Sequence, residues 1–184
     1  MDEVLFGRTV DSPLDEHGQR QAESLAERLT RRHRLELIIV SPRLRTRQTG
    51  AKIAERAGCA SETNAAFDEV DFGRWSSQSF AELQSDPAWR EWNADRNTAR
   101  TPAGDSISAV QDRAMNEMQA LRIRFPQGPI AIVSHSEVIR SIVLRCLDLP
   151  ASHYNRLRID PASVSCLEME DELIHLDSLN ERLT

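Results

Sequence analysis

The chain has 184 residues, 40% of them hydrophobic and 28% charged, with a formal net charge of −6. This length suffices for one domain that buries a core without disulfides or a structural metal, and the composition is that of a soluble globular protein. The acidic balance argues against a nucleic-acid or anionic-membrane binder, which needs a basic surface, yet leaves room for a local basic pocket around a small anion. No apolar run is long enough to span a bilayer. Cys59, Cys146 and Cys166 are odd in number and far apart, and read as buried free thiols of a reducing compartment. Met1-Asp2-Glu3 is acidic and no apolar stretch follows, so no secretory signal is read and a cytoplasmic protein is expected.

In chain order, Met1 to Leu14 reads as a loop broken by Gly7 and Pro13. Asp15 caps a predicted helix through about Arg32, with Ala22, Leu25, Ala26 and Leu29 on one face. Leu37-Ile38-Ile39-Val40 is a short apolar strand suited to burial on both faces. Ser41 as cap and Pro42 at the first helical position open a second helix ending near Gly58. Phe67 to Gly73 is expected to be extended. Ser76 to Gly104, with Trp89, Trp92, Pro87 and Pro102, reads as a lid-like insertion of short helices. Asp105 or Ser106 then caps a long helix along Ile107, Val110, Ala114, Met118 and Leu121. Ile130-Ala131-Ile132-Val133 is a second buried strand, followed at once by Ser134-His135 and a helix from about Glu137 to Leu147. Ala162 to Met169 and Leu173 to Leu176 form a closing hairpin around Glu170-Asp171-Glu172. Alternating strands and helices predict one three-layer α/β/α domain with a mostly parallel sheet.

Three segments carry chemistry. Arg45 lies in the first turn of the helix that follows the first strand, where free N–H groups and the helix dipole already favour an anion and a guanidinium adds a fork matched to phosphate. Arg43 and Arg47 read as a solvated basic face. His135 repeats the arrangement at the end of the second strand, over the same sheet edge. It has no metal-ligand spacing around it, so phosphate contact is expected rather than zinc. Glu69, among Phe67, Val70 and Phe72, is the candidate general acid, a carboxyl whose pKa burial would raise; Asp68 and Asp71 compete for the role.

Taken together, these segments resemble the histidine phosphatase superfamily, also called phosphoglycerate-mutase-like, over nearly the whole chain. Ser41 to Thr49 is similar to its Ser-Pro-Leu-x-Arg-Ala-x-Gln-Thr motif, Glu69 to Trp75 to Glu-x-x-Phe-Gly-x-Trp, Pro102 to Ser106 to Pro-Gly-Gly-Glu-Ser, and Ser134 to Arg140 to Ser-His-Gly-Gly-x-Ile-Arg. Leu5 to Thr9 and Asp11 to Leu14 resemble the stretch just after the family's nucleophile loop. The resemblance implies Arg45 as phosphate-binding arginine, Glu69 as proton donor and His135 as second pocket histidine, with Gly7, Arg8 and Ser136 lining the substrate. The chain departs from the family in lacking the opening apolar strand that ends in Arg-His-Gly, whose His takes the phosphoryl group. His17, in Glu16-His17-Gly18, falls where the family begins its first helix and is rejected as the nucleophile. Ser136-Glu137 stands in place of Gly-Gly.

In the family the absent strand lies inside the sheet, so its loss leaves two neighbours unpaired beside an apolar slot. Losing several buried side chains at roughly 1.5–3 kcal/mol each exceeds typical domain stability. The expectation is therefore a truncated sequence short of roughly a dozen residues, inactive as it stands. The implied activity is hydrolysis of small phosphorylated metabolites through a phosphohistidine, without cofactor or metal. A phosphoglycerate-type mutase and a non-catalytic phosphate- or partner-binding relative are the alternatives. The expected ligand is a small phosphorylated substrate or phosphate, with no nucleic acid and no membrane, and a homodimer is compatible with the chain.

Overall fold

The computed structural model describes residues 4–170 and 173–182. Helix α1 (Glu16–Arg32) starts where Asp15 accepts the Gly18 N–H, as its sequence requires. Strand β1 (Leu37–Val40) leads into helix α2 (Leu44–Ala57), and strand β2 (Ala60–Thr63) follows. Helices α3 (Phe80–Ser85) and α4 (Pro87–Ala94) make up the insertion. Helix α5 (Ile107–Arg124) is capped by Ser106 through the Ala109 N–H. Strand β3 (Ile130–Val133), helix α6 (Ser136–Cys146) and the hairpin β4 (Val164–Glu170) and β5 (Leu173–Glu181) complete the chain. The Asp171-Glu172 tip of that hairpin lies outside the described residues. No described helix is long and apolar enough to cross a membrane.

The sheet runs β2-β1-β3, all parallel, with Val40 opposite both Thr63 and Val133. All four residues of β1 are buried, and successive side chains alternate between two cores. Ile38 and Val40 pack with Leu25, Leu29 and Ile53 under α1 and α2. Leu37 and Ile39 pack with Ile107, Val110, Met118, Val138 and Ile142 under α5 and α6. The three layers expected from the alternating pattern are thus present.

The hairpin continues both cores. Leu167 and Met169 join Ile130 and Ile132 on the first, while Val164 joins Ala131 and Val133 on the second. Yet among the described residues β3 pairs only with β1, and β4 only with β5. The layer is therefore broken between β3 and β4, with two strand edges left unpaired, and β3 is only half-buried where β1 is fully so.

Several sequence expectations need correction. Ser41 and Pro42 precede α2 rather than start it: Arg43 occupies the cap position without a side-chain cap, and Asp11 Oδ1 accepts the Leu44 N–H instead (2.5 Å). Phe67 to Gly73 is extended only in part: Asp68 is extended, but Phe67 and Gly73 belong to short 3₁₀ turns at Ala65–Phe67 and Gly73–Trp75, and Phe72 takes a helical conformation. The cysteines are free, as expected, but half-exposed rather than buried. Strand β2 has no counterpart in the sequence reading, since Ala-Ser-Glu-Thr on a mostly exposed edge shows no apolar pattern. In the insertion Trp92 is fully buried, and Trp89 stacks edge-on at 5.2 Å against Trp75, itself fully buried just ahead of the insertion, so the tryptophans pack the insertion onto the core.

Gly73 joins the turn after Glu69 to the Thr101–Asp105 loop. Its φ is +53°, and a Cβ there would sit 1.9 Å from the Pro102 carbonyl oxygen, a backbone atom that cannot step aside. Around it Arg74 N–H donates to Pro102 O (3.0 Å) and Asp105 N–H to Asp71 O (2.9 Å). Gly73→Ala is expected to destabilise the fold by roughly 2–4 kcal/mol, read from the denaturant midpoint at unchanged slope.

Candidate active site

Parallel pairing of β1 with β3 delivers Ser41 and His135 to the same edge, because Val40 and Val133 are register partners. Ser41 Oγ and His135 Nε2 are 2.7 Å apart, both residues buried. In the first turn of α2, Arg45 brings Nη2 to 3.0 Å from His135 Nδ1 and 3.3 Å from the Gly7 carbonyl oxygen. Its other terminal nitrogen, Nη1, is buried with no hydrogen-bond partner, which leaves a donor unspent at the pocket. Glu69 Oε2 completes the group, 3.6 Å from His135 Nδ1 and 3.8 Å from Arg45 Nη2. The sequence-predicted Arg45, Glu69 and His135 are therefore brought together from positions far apart in the chain.

Gly7 and Arg8 belong to the same assembly. Arg8 donates Nε–H to the Glu69 carbonyl (2.6 Å) and pairs with Asp105 (2.7 Å). Ser136 opens α6 beside His135, with no side-chain hydrogen bond to the cluster among the described residues. His17 is exposed on α1 and joins none of these bonds.

The residues that hold the cluster in place carry other expectations from the sequence, or none: Asp68 reads as a rival acid, Arg43 as a solvated cation, and Arg113 is not singled out. Asp68 is 6% exposed and forms an ion pair with Arg43 Nε at 2.9 Å and with Arg8 Nε at 3.5 Å, while its Oδ1 also accepts the Glu69 N–H at 2.8 Å. Arg43 is thus no solvated face, since it also donates to the Arg8 carbonyl at 2.7 Å; Arg47 is solvated as expected. Arg113, on α5, donates to the carbonyls of Ala65, Ala66, Asp68 and Glu69 and so staples the acid-bearing turn. Adjacency to Glu69 was a signal for Asp68; for Arg113 no local signal exists.

The electrostatics separate the two titrating groups. Burial first, then the charge of Glu137, pushes the Glu69 carboxyl up to about 8, so it is protonated at neutral pH. Burial and the surrounding Arg45, Arg43, Arg113 and Arg8 pull His135 down to about 3, so its ring is neutral. Arg45 is also lowered, chiefly by burial, against the pull of Glu69. An uncharged acid, a neutral imidazole and a guanidinium with a free donor are suited to receiving an oxyanion and protonating a leaving oxygen. Among the described residues no three His, Cys, Asp or Glu side chains gather as metal ligands.

Linkage gives the sign of the pH dependence. Between its unfolded value of 4.5 and about 8, Glu69 holds a proton in the folded chain that the unfolded chain has released, so stability falls as pH rises through that window. His135 acts oppositely, adding stability as pH rises from about 3 to 6.5. Glu69→Gln should flatten the decline between pH 6.5 and 8 in denaturation series, and an unchanged slope would contradict the raised Glu69.

The sequence profile of the histidine phosphatase superfamily (branch 1) matches residues 2–182. Phosphoserine phosphatase 1 of Hydrogenobacter thermophilus is 29% identical over 164 residues, 88% of this chain and 77% of that protein. The probable phosphoglycerate mutase GpmB of Klebsiella pneumoniae is 33% identical over 164 residues, 87% of this chain and 75% of its own length. In three dimensions the chain is similar to a mycobacterial glucosyl-3-phosphoglycerate phosphatase solved with VO3, with a TM-score of 0.86 at 24% identity, covering 97% of this chain and 91% of that one. With its profile matched from end to end and Arg45, Glu69 and His135 assembled at one sheet edge, the chain belongs to the histidine phosphatase superfamily.

Proposed function

We propose that this fold serves hydrolysis of small phosphate monoesters through a phosphohistidine, with Arg45 and His135 binding the phosphoryl oxygens and Glu69 donating the proton. The observation that carries the reading is the buried, unpartnered Nη1 of Arg45 beside a carboxyl that is protonated at neutral pH. A histidine nitrogen attacks phosphorus in line, the bond from phosphorus to the leaving oxygen breaks, and Glu69 gives its proton to that oxygen. Glu69, now a carboxylate, then takes a proton from the water that cleaves the phosphohistidine. Gly7, Arg8 and Ser136 border the substrate.

No Arg-His-Gly occurs in these 184 residues, and His17 lies outside the cluster. The nucleophile is assigned to a strand between β3 and β4, where two edges are unpaired among the described residues. Parallel alignment with β3 brings the C-terminal end of such a strand to the edge that carries His135. Without it, the chain binds phosphate and turns nothing over. Hydrolysis is favoured over the mutase reaction because the insertion at about residues 76–105 is short, and returning a phosphoryl group to a second oxygen needs a water-excluding cover.

Calorimetry with inorganic phosphate should show binding by the 184-residue chain that weakens roughly 10- to 100-fold in Arg45→Ala, the loss of a charge-assisted contact. Phosphate release from an aryl phosphate should be absent from this chain. It should appear when an apolar strand ending in Arg-His-Gly is fused ahead of Leu5, and vanish again with Glu69→Gln. Turnover by the unfused chain that Glu69→Gln abolishes would refute the assignment of the nucleophile.

A further inference from the structure

The bonds around His135 admit one placement of its proton. A guanidinium only donates, so the nitrogen 3.0 Å from Arg45 Nη2, Nδ1, accepts and is bare. The neutral ring then carries its hydrogen on Nε2 and donates it to Ser41 Oγ at 2.7 Å. Ser41 turns its own hydrogen to Asp68 Oδ1, 3.2 Å away. Asp68 is in turn held by the Glu69 N–H and by the ion pairs to Arg43 and Arg8.

All the charged neighbours keep this sequence of donors running one way. Arg45 and Arg43 face the ring from the start of α2, Arg8 from the N-terminal loop and Arg113 from α5, and each opposes a second proton on it. Glu69 stands 3.6 Å from Nδ1 on the other flank, too far to donate. Asp68 lies behind Ser41, and no other carboxylate reaches Nε2 among the described residues.

We propose that Ser41 and Asp68 are positioning residues that hold His135 as the Nε2–H tautomer and so keep Nδ1 bare, an acceptor for the P–OH hydrogen of a bound hydrogen phosphate. When Arg45 turns to the charged oxygens of an incoming hydrogen phosphate, this nitrogen is uncovered and accepts from the protonated oxygen. The role is orientation through a second shell of hydrogen bonds, comparable to the fixing of a ligating imidazole by the bond at its other nitrogen. The tautomer stands independently of the phosphatase reading; only its effect on phosphate binding rests on that reading.

Nitrogen-15 NMR of histidine-labelled protein tests it, with the His135 ring assigned by its loss in His135→Gln. At pH 7 the wild-type ring should be neutral with its hydrogen on Nε2 alone. Ser41→Ala and Asp68→Asn, checked for folding by circular dichroism, should each turn the single tautomer into a mixture and weaken inorganic phosphate binding roughly three- to tenfold. A wild-type ring that is charged or carries its hydrogen on Nδ1 would overturn the proposal, and this spectrum decides even if a variant fails to fold. Folded variants that keep both the tautomer and the affinity would overturn it equally. A wild type with the expected tautomer and no phosphate binding would instead sink the proposed function.

Discussion

Val40 opposite Val133 in a parallel register is the contact from which the site is built. Two strands ending level with each other deliver Ser41 and His135 to hydrogen-bonding distance, and the helices that follow, α2 and α6, both begin at that edge. Arg45 and Glu137 are thereby placed in first helical turns around one spot. A shift of one residue in that register would send Val40 and Ile38 to the opposite core and take Ser41 away from His135. The complete burial of β1 forbids such a shift, so packing of the core and geometry of the site are enforced by the same residues.

Charge balance is the second constraint. Arg8, Arg43, Arg45 and Arg113 converge on one half-buried region, and burying cations is tolerable only where carboxylates and carbonyls receive them. Asp68 and Asp105 supply the carboxylates, and the turn from Ala65 to Glu69 supplies carbonyls. Glu69 is left out of this pairing, its nearest cation 3.8 Å away. It is buried without close neutralisation, and a proton is its cheapest state. Neighbouring carboxyls thus take opposite roles: Asp68 is an ion-pair acceptor that organises the site, and Glu69 an acid that retains its hydrogen.

The break between β3 and β4 sits beside this assembly. Both strands direct alternate side chains into the same two cores, so among the described residues the layer is continuous in its packing and interrupted in its hydrogen bonding. Unpaired edges facing an apolar interior are costly, and natural sheets cover or pair them. The half-burial of β3, whose Ile-Ala-Ile-Val sequence suits a fully enclosed strand, belongs to the same feature.

Much of this was legible in the residues themselves. Asp15 and Ser106 are helix caps because their side-chain oxygens reach N–H groups a turn ahead, a local rule that needs no tertiary information. The apolar spacing along α1 and α5 and the apolar runs of β1 and β3 follow from periodicity, and the short runs around Arg45, Glu69 and His135 carried the family resemblance. Where local rules competed with distant partners they failed. Ser41 has the chemistry of a cap but spends its hydroxyl on His135 and Asp68, and Arg43 looks like a surface cation but is drawn in by Asp68. Arg113 lies 44 residues from Glu69 in the chain and reaches it only because α5 packs against the acid-bearing turn. The sequence by itself determined the elements, their order and the kinds of groups available, since these depend on neighbours within a turn or two. Tertiary structure alone decided which carboxyl keeps its proton and which nitrogen of His135 is bare, because both depend on burial and on charges brought in from remote segments.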